Sequence, residues 1–260
     1  MNLNINAIDL EIGDRILCKQ LNLIVSTGQF WAIVGKNGVG KTTLLKALCN
    51  LHALKNGSIT LKKNNSLENN DIKTIDTKDL ARFIGLMQQD YEYFFPCTVI
   101  EAVLMSRFPY LSAWQFETTE DYQIAQHCLQ ITKLEELQNR QVKTLSGGEK
   151  RRLHLAMLMS QSPDFFLLDE PTNHLDLATQ MQFMELLKSH FNKNNKAGIM
   201  VSHDINLVSR YCDHVLLLFD DGEWLSGTTK EIMNEKNLSL LLDYPVMQTQ
   251  INQHRHFVPA

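Results

Sequence analysis

The chain lacks the long apolar runs and the excess of basic residues that mark several classes of protein. Its longest apolar stretches, such as 215–219, fall far short of the ~20 residues that a membrane-spanning helix needs. Acidic residues outnumber basic ones by 29 to 25, so bulk positive charge does not attract nucleic acid. The N-terminus has no basic segment followed by an apolar core, unlike a signal peptide. These absences predict a soluble, cytoplasmic protein that does not bind nucleic acid.

Cysteine is also scarce. The five cysteines are an odd number without a C-x-x-C pair, which excludes a disulfide framework and a zinc site. We expect buried free thiols in a reducing compartment. With 44% hydrophobic and 21% charged residues, 260 residues are enough for one large core without cross-links.

Short apolar runs alternate with helical stretches along the chain, at 30–34, 83–87, 165–168, 199–201 and 215–219. This alternation predicts a parallel sheet covered by helices on both faces. Residues 3–10 and 21–26 alternate in polarity around a turn at 13–14 and predict antiparallel strands. The polar stretch 55–76 predicts a hairpin with a solvated loop.

The stretch from 90 to 145 is predicted to be mostly helical, because 99–105 and 124–129 carry apolar residues at helical spacing. It separates the early strands from the later ones, so we interpret it as an inserted helical subdomain. A later helix, beginning after Asp176, is expected to turn Leu177, Met181, Met184 and Leu187 to one side.

A glycine-rich segment follows the apolar run 30–34 and precedes a helical stretch at 43–49. It fits the pattern G-x-x-x-x-G-K-[ST], with Gly35, Asn37, Gly38, Gly40, Lys41 and Thr42. The glycines let backbone N–H groups turn toward phosphate oxygens, and the helix adds its positive end. Lys41 is expected to reach the β- and γ-phosphates, Thr42 to coordinate Mg²⁺, and Thr43 to lie near the α-phosphate.

Two adjacent carboxylates, Asp169 and Glu170, end the apolar run 165–168. Ligands bind at the carboxyl ends of strands in open α/β sheets. Asp169 is suited to the Mg²⁺ side of a nucleotide site. Glu170 is suited to polarising a water in line with the γ-phosphate, as a general base.

The segment L-S-G-G-E at 145–149 opens a helix that runs to about Ser160. Ser146 and Glu149 form a capping box. The adjacent Gly147 and Gly148 do not favour a helix but expose backbone N–H groups, which makes a second anion site. The chain has two anion sites but only one Mg²⁺ motif. The second anion site is therefore expected to serve the nucleotide of another molecule.

These three motifs, in this order and spacing, resemble the nucleotide-binding subunits of ATP-binding cassette (ABC) transporters. The resemblance covers nearly the whole chain. It implies an α/β P-loop NTPase cassette with a mainly parallel sheet core, an N-terminal antiparallel β subdomain and an inserted α-helical subdomain. We divide the single domain 1–260 into core sheet and β subdomain at 1–89 and 164–260, and helical subdomain at 90–163.

The resemblance also implies a head-to-tail homodimer that sandwiches two ATP molecules. Each would lie between the phosphate loop of one copy and Ser146, Gly147 and Gly148 of the other. Gln88 matches a glutamine that ligates Mg²⁺ or the attacking water. His203 matches a histidine that contacts the γ-phosphate, and Asp176 lies in a loop that crosses the dimer interface.

One departure from the family concerns the adenine. Relatives carry a stacking aromatic residue near the position of Ile12, but no aromatic residue lies between Met1 and Gln29. The base would then rest on Ile12 or Arg15 by a weaker contact.

The aromatic segment 90–96 is interpreted either as core packing or as a groove for a short helix of a membrane partner.

The resemblance implies an importer ATPase at the cytoplasmic face of the inner (plasma) membrane. It would act with two integral-membrane permease subunits and, indirectly, with a periplasmic or surface substrate-binding protein. The C-terminal segments 240–246 and 257–259 are similar to subunits for iron-chelate, haem or cobalamin uptake. Alternatives are another cargo such as a metal ion or oxyanion, a non-transport cluster-assembly ATPase, and a small-molecule P-loop kinase, against which L-S-G-G-E and Glu170 argue.

Overall fold

A computed structural model of the chain describes residues 1–63, 69–89, 96–112, 114–252 and 254–260. Twelve strands are described: β1 (Asn2–Ile12), β2 (Arg15–Ser26), β3 (Phe30–Gly35), β4 (Asn56–Lys62), β5 (Asn69–Asp71), β6 (Ile84–Met87), β7 (Phe165–Asp169), β8 (Ala197–Val201), β9 (His214–Leu218), β10 (Trp224–Thr228), β11 (Val246–Ile251) and β12 (His254–Pro259). The α-helices are α1 (Lys41–Leu48), α2 (Thr77–Phe83), α3 (Val99–Met105), α4 (Thr119–Ile131), α5 (Gly147–Gln161), α6 (Leu177–Asn194), α7 (Ile205–Tyr211), α8 (Thr229–Ile232) and α9 (Glu235–Leu242).

A six-stranded sheet with the order β10-β9-β3-β8-β7-β6 forms the centre of the molecule. All of its strand pairs are parallel except β9 with β10. Every residue of β3, β7 and β8 is buried, as a sheet covered on both faces requires. The predicted parallel sheet is confirmed, and the carboxyl ends of β3, β7 and β8 lie at the same edge of it.

The N-terminal strands form a separate antiparallel sheet with the order β2-β1-β4-β5. Strands β1 and β2 are joined at the predicted turn, with Ile12 paired to Arg15. Strands β4 and β5 pair as the two arms of the predicted hairpin. The apolar side of this sheet packs on β3 and α1, in a cluster that includes Leu3, Leu17 and Leu44.

The inserted helices α3, α4 and α5 lie between β6 and β7 in the chain. Each begins with a capping box, which fixes its first turn. The buried guanidinium of Arg107 donates from Nε to Asp121 Oδ1 at 2.9 Å and from Nη1 to the carbonyl of Ser160 at 2.7 Å. This arginine ties α4 to the end of α5. Between α3 and α5 the chain also makes short 3₁₀ turns, so it is less uniformly helical than predicted.

The predicted apolar side of α6 is only partly buried. In α6, Met184 and Leu187 are buried, but Leu177 is 70% exposed. Leu177 is the first helical residue after the Asp176 cap. Phe183 and Phe191 are buried instead.

The cysteines match the prediction of free thiols. Four are buried, Cys49 is half-buried, and none is paired in a disulfide. Burial raises the pKa of the Cys18 thiol to about 11 and that of Cys128 to about 12, which keeps both protonated. Within the described ranges, no helix combines the length and apolarity needed to cross a membrane. The aromatic stretch 90–95 lies outside the described residues.

Candidate functional site

The glycine-rich loop connects β3 to α1 at the edge where the central strands end. Gly40, the residue before α1, has φ +107°, and a Cβ there would lie 2.8 Å from Cβ of Leu17. A Cβ on Gly35 would lie 2.7 Å from the carbonyl oxygen of Leu218. Only glycine fits these two positions, because one needs a left-handed backbone and both lack space for a side chain. The sequence pattern therefore produces a tight loop that ends at the N-terminus of α1.

Lys41 is the first residue of α1, and its side chain reaches back to the start of this loop. Its buried ammonium donates hydrogen bonds to the carbonyls of Gly35 at 2.8 Å and Lys36 at 2.7 Å. Burial lowers the pKa of Lys41, and the nearby charges of Glu170 and Asp169 oppose that shift. Asp169, the last residue of β7, and Glu170, the residue after it, thus lie close to the lysine of the loop, as a site for a phosphate–metal complex requires.

Thr42 and Asp169 meet beside the loop. The Thr42 hydroxyl lies 3.1 Å from Oδ1 of Asp169, and both line a cavity of about 200 Å³ together with Gln88 and Gln89. Burial raises the pKa of Asp169, while the Thr42 hydrogen bond lowers it. Hydroxyl, carboxylate and amide oxygens are the donors that Mg²⁺ prefers.

Glu170 lies one residue beyond β7 with φ +47°, and its N–H donates to the carbonyl of Val201 at 3.2 Å. Its Oε1 is 2.5 Å from Nε2 of His203, which follows β8. Its other carboxylate oxygen accepts a hydrogen bond from the side chain of Asn173. Glu170 and His203 were predicted to share the site, whereas Asn173 was missed. An asparagine in a turn after a strand has no signal that sets it apart from an ordinary turn residue.

The segment that contains Ser146 lies in a different cavity. Ser146 and Gly148 line a cavity of about 470 Å³ with Asp176, between the end of α4, the start of α5 and the start of α6. Gly147 is exposed, with open space around its Cβ position. Asp176 caps α6 by accepting a hydrogen bond from the Thr179 N–H at 3.0 Å. Within one copy, therefore, these residues do not share a cavity with Thr42 and Asp169.

Residues 18–173 match the family described as ABC transporter. The chain belongs to this family. It is an ABC ATPase, so the predicted family, fold and enzyme class are confirmed. The match spans the phosphate loop, the Ser146 segment and the Asp169–Glu170 pair.

Individual relatives extend this similarity over nearly the whole ABC cassette. The chain is 31% identical over 232 residues to an iron(3+)-hydroxamate import ATP-binding protein of Bacillus subtilis, covering 89% of this chain and 84% of that one. A solved metal-chelate type ABC transporter in an inward-facing conformation superposes with a TM-score of 0.86 at 28% identity, covering 99% and 97%. A dimeric ATP-binding cassette in a post-hydrolysis state, bound to ADP and phosphate, gives a TM-score of 0.73 at 26% identity, covering 87% and 98%.

A buried arginine connects two segments of the ABC cassette that are far apart in the sequence, α5 and the end of β6. Arg151, on α5, donates from Nη1 to the carbonyl of Gln88 at 3.4 Å. Helix α5 begins at the Ser146 segment, so this contact links that segment to the end of β6. Sequence reasoning missed Arg151, because a basic residue on a helix of mixed polarity is ordinarily a solvated one.

Proposed function

We propose that the chain hydrolyses ATP to drive import of an iron chelate through a separate permease. The observation that carries the cargo class is the match to the metal-chelate transporter, since it extends over the whole chain, C-terminal strands included. The similarity to the iron(3+)-hydroxamate import protein supports the same class. Two permease subunits and a substrate-binding protein would complete the transporter. The ATPase itself would lie peripherally on the cytoplasmic face of the plasma membrane.

The phosphates of ATP would lie in the loop between β3 and α1. Backbone N–H groups of this loop, including those of Gly35, Asn37, Gly38, Gly40 and Thr43, would donate hydrogen bonds to the phosphate oxygens. The Lys41 ammonium, which now bonds to two loop carbonyls, lies close enough to transfer its hydrogen bonds to phosphate oxygens. These contacts need no positive net charge, because the positive field is local.

Mg²⁺ would be held by Thr42 and Asp169, with Gln88 completing the donors on the β6 side. The contact between Thr42 and Asp169 and the amides in the same cavity fit this ion. When bound, the ion neutralises charge on the phosphate oxygens. Since Arg151 bonds to the carbonyl of Gln88, movement of α5 and formation of the metal site would be coupled.

Glu170 would act as the general base. It takes a proton from a water molecule as the water oxygen attacks the γ-phosphorus, and the bond from phosphorus to the β–γ bridging oxygen breaks to release ADP. His203 and Asn173 hold the two carboxylate oxygens and so fix the direction of the base. His203 would also contact the γ-phosphate, as the resemblance to ABC transporters implies.

A second copy would supply the remaining contacts. Gly147 and Gly148 lie in the first turn of α5, where N–H groups have no partner within the helix, and Ser146 and Gly148 line a cavity apart from the phosphate loop of their own chain. The N–H of Ser146 donates to Glu149 in the capping box, so Ser146 would contribute its side chain. Asp176 lines the same cavity and would face the partner. ATP bound between two copies would bring both sets of N–H groups onto one nucleotide, which strengthens the dimer through charge-assisted hydrogen bonds.

The adenine platform gives a first test. Ile12 is half-exposed at the turn between β1 and β2, and Arg15 extends toward Gly38 of the phosphate loop. Replacing Ile12 with Tyr is expected to tighten ATP binding about 3- to 10-fold, because a ring stacks on the base more strongly than an aliphatic chain. Titration of a fluorescent ATP analogue would measure the change. The matched control is Ile24→Tyr, at an exposed position on β2, whereas Ile12 ends β1. Unchanged affinity in Ile12→Tyr would place the base elsewhere.

The cargo is tested by reconstituting the chain with its permease in lipid vesicles. We expect a binding protein loaded with a ferric chelate to stimulate ATP hydrolysis above the rate with the empty binding protein. Binding proteins loaded with haem, cobalamin, a free metal ion or an oxyanion serve as parallel arms. Stimulation by one of these and not by the ferric chelate would overturn the cargo class while leaving the ATPase assignment intact.

A further inference from the structure

Strands β11 and β12 form a two-stranded C-terminal ribbon beside the nucleotide site. Two sets of contacts fix its position. Asp243, just before the ribbon, pairs with Lys36 of the phosphate loop. In β12, the Phe257 N–H donates to Asn206 Oδ1 at 2.8 Å, and Asn206 lies in the first turn of the helix that follows His203. Asp243 therefore contacts the phosphate loop, and the ribbon itself contacts the helix that follows His203.

The two faces of the ribbon differ. Residues directly opposite in an antiparallel pair lie on the same face. The pairing of Gln248 with Phe257 places one face inward, where Phe257 is buried against the core. The pairs on the opposite face consist of Met247, Thr249, Ile251, His254, His256 and Val258. On this outer face Met247 is 49% exposed and Val258 40% exposed.

The edges of the ribbon are protected, so addition of a further strand is not favoured. On β12, the side chain of Asn206 bonds both to the N–H and to the carbonyl of Phe257. On β11, the N–H of Gln248 donates to Glu235 at 2.7 Å and that of Val246 to Ser239 at 2.9 Å. The outer face of the ribbon is therefore the surface that can contact another molecule.

We propose that the outer face of the ribbon packs against the same face of a second copy and extends the dimer interface beyond the nucleotides. This inference rests on the proposed nucleotide-sandwich dimer. It is supported by continuity, because the ribbon contacts the helix after His203 and the preceding Asp243 pairs with Lys36 of the phosphate loop, two elements that would border the proposed interface. The face carries no acidic, lysine or arginine residue, so two identical faces do not repel each other. An interface around a two-fold axis has to be self-complementary in this way.

The contact would persist when ATP is hydrolysed. It involves none of the residues that hold phosphate, Mg²⁺ or water, so release of ADP and phosphate leaves it unchanged. We infer that the ribbon keeps the two copies associated while the nucleotide sites open. The chain is then expected to self-associate weakly without nucleotide and strongly with ATP.

Charge substitutions test this directly. The full chain is prepared as Met247→Glu/Val258→Glu and as Met247→Lys/Val258→Lys. Each variant alone is expected to weaken nucleotide-free self-association at least about tenfold, because like charges face each other. An equimolar mixture is expected to restore wild-type association, since opposite charges then meet. Sedimentation velocity without nucleotide measures both results, and Gln126→Glu on the exposed side of α4 is the matched control.

The outcomes separate the possible occupants of the face. Wild-type association in both charged variants, or weakened association that the mixture does not restore, would overturn the proposal. Loss of permease binding with self-association unchanged would assign the face to the permease instead. ATP-dependent dimerisation of Glu170→Gln with an intact ribbon is measured alongside. If that fails, the sandwich dimer is wrong, whereas failure of the charge test alone rejects only the ribbon contact.

Discussion

Glu170→Gln is expected to lower ATP turnover by about 100- to 10,000-fold while leaving ATP binding intact. The amide keeps the size of the side chain and its hydrogen bond to His203, but it cannot accept the proton of the attacking water. With hydrolysis blocked, ATP stays bound and the two copies remain together. Phosphate release measures turnover, and size-exclusion chromatography with ATP and Mg²⁺ measures the dimer.

The control for this experiment is Glu185→Gln, an exposed acid on α6 that is expected to change neither result. If Glu170→Gln hydrolyses ATP at the wild-type rate, Glu170 is not the base. If the variant is inactive but stays monomeric with ATP, the base assignment stands and the sandwich dimer is wrong. The two parts of the proposal are thus judged by separate measurements.

Lys41→Ala is expected to reduce ATP hydrolysis by at least about 100-fold, because the loop loses the charge that stabilises the β- and γ-phosphates as charge develops in the transition state. ATP affinity is expected to fall as well, since a charge-assisted contact to the ground-state nucleotide is lost. Steady-state kinetics and direct nucleotide titration measure these two effects separately.

Lys41 is buried, so its loss can also affect the fold. Lys41→Met keeps most of the aliphatic chain without the charge and is expected to be as inactive as Lys41→Ala but to melt near the wild-type temperature. Lys193→Ala, an exposed substitution near the end of α6, is the matched control. Wild-type turnover in Lys41→Met would reject the proposed role of the lysine.

Local patterns predicted the main elements because their causes are local. The run 165–168 is apolar at every position, and β7 is buried at every position. Ser146 and Glu149 predicted a capped helix, and both hydrogen bonds of the capping box are present in α5. The exposure of Leu177 could not be predicted, because burial depends on which elements cover a helix, and helical periodicity does not specify that.

Part of the candidate site could likewise be predicted from the sequence, and part could not. The glycines of the phosphate loop, Lys41 and Thr42 are adjacent in the chain and form a pattern that the sequence shows by itself. The sequence does not show that the side chain of Asn173 bonds to Glu170 or that Arg151 bonds to the carbonyl of Gln88. They depend on how a turn folds back after β7 and how α5 packs against the end of β6.

The sequence by itself determined the family, the alternation of strands and helices, and the residues from which the site is built, because each depends on neighbours within a few positions. The tertiary structure decided which of those residues meet. Packing of β7 beside β8 brings Glu170 to His203, and docking of the C-terminal ribbon on α7 places an exposed apolar face beside the nucleotide site. Contacts of this kind join residues far apart in the chain, and their free energy comes from burial of surfaces that form only after the core has assembled.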